Sequence, residues 1–300
     1  MKSLAFAFPA GANTAFYAST TAATVQSSIR ESMFEDINFF STSTGHTGYG
    51  FDFIDDFRNN YTHIMADQVG NLWRTQNNYT NAQFLNGDSH WMGFNFCELN
   101  NSGSGVCWEV KGNSGAVNQI MFDDINGISN DTGSGSNDIL LKITNSSRIT
   151  AKGLNSEEFA TSTQVISGSG IYIESSKYIN STTGAANKAI FEAGASAFNV
   201  SFKCKEVEVS AATTILYDKN TTRGQHNTLE GIGGTNCVIQ NNGGSALYST
   251  STASVVRDVF DNVSGNGFLA NIKVLGEKIS FAWAAGVDTT IGYIGSALKF

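Results

Sequence analysis

Two kinds of side chain in this sequence suit chemistry on a polymer: carboxylates that stand near one another, and aromatic rings that stand near them. Hydrolysis of a glycosidic bond needs two carboxyls about 5 to 9.5 Å apart, one as acid and one as nucleophile or base. Residues i and i+2 of a strand face the same way, roughly 6 to 7 Å apart, and adjacent strands bring other pairs into that range. On that ground Glu98, Asp123 and Asp124 are the acid/base candidates, with Glu109 as a companion to Glu98 and Asp52 close to Asp55 and Asp56. Asp123 and Asp124, as neighbours, are expected on opposite sides of a strand, one outward and one in a bend. Trp73, Tyr79, Trp91 and Trp108 lie in the same stretch; sugar rings stack C–H patches on such π-faces. Each choice has a plainer reading. Carboxylates in polar bends often accept backbone N–H groups, and Trp108, inside an alternating strand, also fits a core position. A lyase would want a Lys or Arg near a His or Tyr, and Arg74, Tyr79 and His90 form a loose version of that.

The elements that must position these residues recur along the chain. An alternating apolar strand is followed, roughly 8 to 14 residues later, by a polar residue and an aliphatic one. The strands read Gly50-Phe51-Asp52-Phe53, Val106 to Val110, Ile139 to Ile143, Ile171-Tyr172-Ile173, Ile190-Phe191 and Ile215-Leu216. The polar–aliphatic places are His63-Ile64, Gln119-Ile120, Arg148-Ile149, Tyr178-Ile179, Asn199-Val200 and Thr228-Leu229. Units of this kind cannot each bury an apolar face alone, so they stack into a solenoid. Phe51, Phe53, Ile139, Leu141, Ile171, Ile173 and Phe191 are the expected inward residues. Helical periodicity is confined to Thr20–Phe34, where Val25, Ile29 and Met33 recur every four residues; a short helix there would cap the open end of the stack. The expected organisation is a cap over residues 1–33, coils over 34–278, and a closing cap or subunit contact over 279–300. Some 55 residues separate Phe51 from Val106, a stretched unit that predicts projecting loops around the aromatic cluster.

Composition narrows the function. Charged residues are 15% of the chain, the net charge is −8, and there are 31 glycines and 1 proline. The 18 Lys and Arg form no basic run, which argues against a nucleic-acid partner, because phosphate affinity needs clustered cations. No stretch approaches the roughly 20 apolar residues of a membrane helix. The opening, Met1 to Ala12, has one positive charge and an apolar run that ends at Pro9; it reads as a first strand or capping segment rather than a signal peptide. Cys97, Cys107, Cys204 and Cys237 contain no CxxC pattern and the four histidines are scattered, so no metal or other cofactor is expected. A surface made soluble by amides and hydroxyls suits hydroxyl-rich partners, although Asn, Ser and Gly also simply make bends.

This texture resembles the right-handed parallel β-helix of the pectate-lyase-like superfamily, and within it bacteriophage tailspike and tail-fibre proteins. The resemblance spans about residues 34–278 and rests on pattern rather than on a signature. It implies an all-β solenoid, a homotrimer, a place in the virion tail or otherwise outside the cell, and recognition of a host surface polysaccharide. Some members of that group also depolymerise the glycan, as hydrolases or lyases; others only bind it. The rival expectations are a structural or adhesive solenoid without catalysis, and a stand-alone secreted enzyme.

Overall fold

The computed structural model describes residues 3–18, 29–42, 46–78, 87–100, 104–130, 137–180, 189–209, 213–219 and short strands from there to 280. Among these the protein is all β, with no helix, and most strands join one large curled parallel sheet. The pairing is that of a parallel β-solenoid. Through most of the chain each strand segment pairs with its counterpart one coil later, along three long ladders.

The first ladder runs Phe16–Ala18, Tyr49–Ile54, Asn71–Asn77, Val106–Gly112, Ile139–Thr144 and on through the opening segments of Thr161–Asn180 and Ala189–Val209. Its inward column is Phe16, Phe51, Trp73, Trp108, Leu141, Thr163, Phe191 and Leu216. The second ladder stacks Phe34, Tyr61, Trp91, Phe122, Ala151, Ile173, Phe202 and Leu229. The third stacks Phe6, Phe39, Ala66, Cys97, Gly127, Ser156, Tyr178 and Val207. Because alternate residues of a strand face opposite ways, one column per ladder closes into a single core. Its N-terminal half is aromatic: Tyr61 and Trp91 stack at 4.4 Å, and Trp91 meets Trp73 and Trp108 edge-on, each at 5.7 Å.

Two corners turn the chain, and both use left-handed backbone. Glu31, Arg58, Asp88, Gln119, Arg148, Gly170 and Asn199 form one column of positive φ between 50° and 63°. Asp36, His63, Gly93, Asp124 and Gly153 form the other, between 53° and 69°. Behind the first column the next residue is buried from Arg58 onward, as Asn59, Ser89, Ile120, Ile149, Ile171 and Val200; behind the second lie Ile37, Ile64, Ile125 and Leu154. This is the physical content of the recurring polar–aliphatic pair at His63-Ile64, Gln119-Ile120, Arg148-Ile149 and Asn199-Val200. The polar residue takes the bend and the aliphatic one drops into the core.

Several expectations need correction. The stretched unit between Phe51 and Val106 contains a whole coil, built on Asn71–Asn77, which pairs with Tyr49–Ile54 on one side and Val106–Gly112 on the other. Its apolar part is only Leu72-Trp73, two buried residues in a row, and the next inward position is the polar Thr75, so the alternation is faint. The helix over Thr20–Phe34 gives way to strands at Ile29–Arg30 and Met33–Glu35; residues 19–28 lie outside the described set. Leu4–Phe8 and Phe16–Ala18 already stand in register on the coil after them, so the stack reaches into the segment read as a cap. Ile139 is half-buried while Leu140 points inward. A Cβ on Gly127 would lie 2.5 Å from Leu140 Cδ1 and 3.0 Å from the Phe159 ring, so Leu140 occupies space that the glycine vacates. Beyond residue 237 the described strands include antiparallel pairs, Ser254–Asp261 with Phe268–Val274 and that strand with Glu277–Ser280. Residues 281–300, with the tail's Trp283, lie outside the described set.

One polar cluster sits inside the corner. The Asp56 carboxylate, wholly buried, accepts hydrogen bonds from Asn59 Nδ2 (2.5 Å), Ser89 Oγ (2.8 Å) and the Tyr61 hydroxyl (2.9 Å). Burial outweighs these donors and raises its pKa from the ordinary 3.8 to about 6.

Two tests follow from the core. Ile171→Ala should cost about 2 to 5 kcal/mol in chemical denaturation as a cavity, whereas Lys152→Ala, on the surface, should stay within about 0.5 kcal/mol. For Asp56 the folded protein holds a proton that the unfolded chain gives up between pH values near 3.8 and 6. Stability should therefore fall as pH rises through that window, by on the order of 3 kcal/mol relative to an Asp56→Asn variant. Denaturation midpoints at pH 4 and pH 7 for both proteins measure this.

Candidate functional site

The outward face of the third ladder carries two columns. Asn38, Met65, Phe96, Asn126, Asn155, Lys177 and Glu206 make one. The other has Phe40 beside Asp67, then Glu98, Ile128, Glu157, Ile179 and Glu208. Over the middle coils the surface is indented into a groove of roughly 360 Å³, lined by Phe94, Phe96, Asn126, Ile128, Asn155, Glu157, Lys177 and Ile179.

The groove owes its aromatic wall to one extra residue. From the second inward column to the first outward position of the third ladder the chain takes four steps in most coils: Tyr61 to Met65, Phe122 to Asn126, Ala151 to Asn155. The coil with Trp91 takes five to reach Phe96. Gly93 makes the left-handed turn (φ 66°), Phe94 is pushed out to 49% exposure, and Asn95 drops into the position that Ile64 and Ile125 hold in the adjacent coils. The buried Asn95 side chain closes the defect. Its Nδ2 donates to Met92 O (3.1 Å) and Gly93 O (3.0 Å), and its Oδ1 accepts the Ile64 N–H (3.0 Å). Asn126 and Asn155 form an amide ladder along the floor, with Asn155 Nδ2 donating to Asn126 Oδ1 at 2.6 Å.

Charge on this face is largely carboxylate. Glu98 accepts a hydrogen bond from Asn130 Nδ2 and shares a proton contact with Asp67; partial burial and then Asp67 raise its pKa above the ordinary range. Lys177 is held by Glu206 (3.0 Å) and Glu208 (3.3 Å), pairing that lowers the pKa of Glu206.

The residues singled out by type and spacing do not converge. Glu98 stands on the third ladder, beside the groove. Asp124 takes the left-handed corner position (φ 60°), and its Oδ1 and O accept from Asn126 Nδ2 at 3.2 and 3.0 Å. It thus borders the groove as a bend residue. Asp123 lies before that corner on the second ladder, bound to His90 Nε2 at 2.8 Å; the turn at Asp124 is what separates them. Trp73, Trp91 and Trp108 are correctly placed in sequence but not in space. Each is 0% exposed in the core, so no sugar ring can stack on them here, and the core reading weighed for Trp108 extends to all three. Tyr79 lies outside the described residues. Glu109 and Glu98 belong to different ladders. Glu109 is engaged by the Tyr49 hydroxyl (3.2 Å) and Lys142 (3.7 Å), and Asp52 by Arg74 (2.6 Å), all in an alternating charge ladder on the first face. Cys97, Cys107 and Cys204 are free and buried. No group of three metal-ligating side chains occurs among the described residues, and no described helix is long and apolar enough to cross a membrane.

The groove residues that spacing alone passed over are Phe94, Phe96, Asn126, Asn155 and Glu157. The readable trace was the extra residue in Met92-Gly93-Phe94-Asn95 against its in-register neighbours, visible only once Trp91 is paired with Tyr61 and Phe122. Set against known proteins, the chain matches no family model, no curated protein and no solved structure.

The plug itself is testable. Asn95→Ala removes a buried acceptor and two donors, and should cost about 1 to 3 kcal/mol in denaturation, the penalty of an unsatisfied Ile64 N–H. Asn38→Ala, half-buried at the outward face, should be close to neutral.

Proposed function

We propose that this chain is a β-solenoid that binds an extended polysaccharide along the groove of its third ladder. The observation that carries the reading is the groove itself. It lies along successive coils, with exposed Phe94 and half-buried Phe96 beside an amide floor of Asn126 and Asn155. Aromatic faces meet the C–H patches of sugar rings, and amides donate to and accept from hydroxyls at fixed intervals set by the strand spacing of about 4.8 Å. The finer reading is a tailspike- or tail-fibre-like protein: a right-handed β-helix, assembled as a homotrimer in a virion tail or elsewhere outside the cell, recognising a host surface polysaccharide. It rests on the sequence texture together with this parallel stack.

Cleavage is a separate matter from recognition. Glu98 is the carboxyl best placed to serve as an acid, since its pKa is raised and it borders the groove. Asp123 faces the second ladder, where His90 holds it, and Asp124 borders the groove as a bend residue whose Oδ1 accepts from Asn126. The alternative, a structural or adhesive solenoid, draws on the burial of every described tryptophan and on the self-paired charge ladder of the first face.

A panel of bacterial polysaccharides, scored for binding and for new reducing ends, tests both. Phe94→Ala with Phe96→Ala should weaken binding of a retained glycan by on the order of 1 to 3 kcal/mol, as for other aromatic anchors, and Trp73→Phe, in the core, should leave it unchanged. Absence of binding across the panel favours the structural alternative. Any reducing ends formed should disappear in Glu98→Gln.

A further inference from the structure

The groove's border is electrically one-sided. Asp67, Glu98, Glu157 and Glu208 follow one another along its outer column, with Ile128 and Ile179 between them, and Asp124 and Glu206 stand along the neighbouring edge. Lys177 is the cation that lines it, and its ammonium is already held by Glu206 and Glu208. Nearby Lys205 is engaged by Glu174 at 2.8 Å. An anionic polymer laid here would meet like charge along its length, which opposes association, and the chain's net charge of −8 extends that repulsion outward.

Resting on the polysaccharide reading above, we propose that the bound glycan carries free amino groups: a polymer of amino sugars wholly or partly without N-acetyl groups. Ammonium groups along such a chain complement the carboxylates, while its ring faces meet Phe94, Phe96, Ile128 and Ile179, and its hydroxyls meet Asn126 and Asn155. The spacing agrees. Glu98 and Glu157 occupy one outward column with Ile128 between them, two strand steps or about 9.6 Å along the axis, on the scale of a disaccharide step in an extended β-linked chain.

The test is titration calorimetry of the full chain with three probes of matched length: glucosamine oligomers, N-acetylglucosamine oligomers and uronic-acid oligomers, each at low and high salt. The expected result is preference for the glucosamine oligomer, weakened by salt. In Glu98→Gln with Glu157→Gln the loss should be roughly 3- to 30-fold, as for two exposed ion pairs removed together. Phe94→Ala with Phe96→Ala should lower affinity for the amine-bearing probe as well. Equal or tighter binding of the N-acetylated or uronic-acid probe, lost with the two phenylalanines, would overturn the amine preference and leave the polysaccharide reading intact. Glucosamine binding that ignores both double variants would reduce it to diffuse attraction by an acidic protein, and overturn the proposal. Failure of all three probes, and of the wider glycan panel, would sink the polysaccharide reading as well.

Discussion

The stack of coils depends on parallel strands meeting in register one coil apart. That pairing forces residues with equal positions in successive coils to sit on top of one another at the strand spacing of about 4.8 Å. Each inward column must therefore be compatible with itself, because a ring is flanked by whatever its counterparts are. The N-terminal coils meet this condition with rings: Phe34, Tyr61, Trp91 and Phe122 in one column, Phe51, Trp73 and Trp108 in another. Later coils meet it with aliphatic and small residues, among them Leu141, Thr163, Ala151 and Ile173. The corners obey the same rule. Left-handed bends recur in register in successive coils, from Glu31 to Asn199 at one corner and from Asp36 to Gly153 at the other. The usual cost of that conformation for a residue with a Cβ is borne by Arg148, Gln119 and Glu31 because the pairing on either side leaves no alternative.

Stacking also settles where polar groups go. Outward side chains are stacked as strictly as inward ones, so charge must alternate along a column or be tolerated. On the first face it alternates, Asp52, Arg74, Glu109 and Lys142 in order, and the column neutralises itself. On the third face it does not. Asp67 stands next to Glu98, and partial burial together with that neighbour raises the proton affinity of Glu98. An arrangement that is unfavourable for the isolated stack is the kind that function tolerates.

How much of this could be read from residues alone depended on whether the pattern was local. The stack was legible because its signals, strand alternation at Ile171-Tyr172-Ile173 and the polar–aliphatic pair at Arg148-Ile149, each fit within a few residues. The coil at Asn71–Asn77 was not, since its apolar residues are only the adjacent Leu72 and Trp73 with polar Thr75 at the next inward position, and only its partners on both sides declare it a strand. That omission made residues 49–110 look like loops and put Trp73 and Trp91 on a surface they do not occupy. The distinction between inside and outside for an isolated Trp is set by register with coils 20 to 35 residues away, which no local window contains. Glu98 was found for a sound reason, a carboxyl outward on a strand. Phe94 and Phe96 lie just before it on the same coil, but Asn126, Asn155 and Glu157 come from other coils and share no local spacing with it.

The hydrogen bonds of the three ladders all run along the stacking axis. Tension applied along that axis therefore strains one ladder rung at a time, so that coils peel away in sequence at low force. Tension applied across it loads whole ladders in shear, where many bonds must fail together. A molecule of this build is a stiff strut against sideways pull and a weak one when pulled end to end. The five-step coil at Gly93-Phe94-Asn95, whose extra residue is closed by the Asn95 side chain, is a natural point for such peeling to pause or begin.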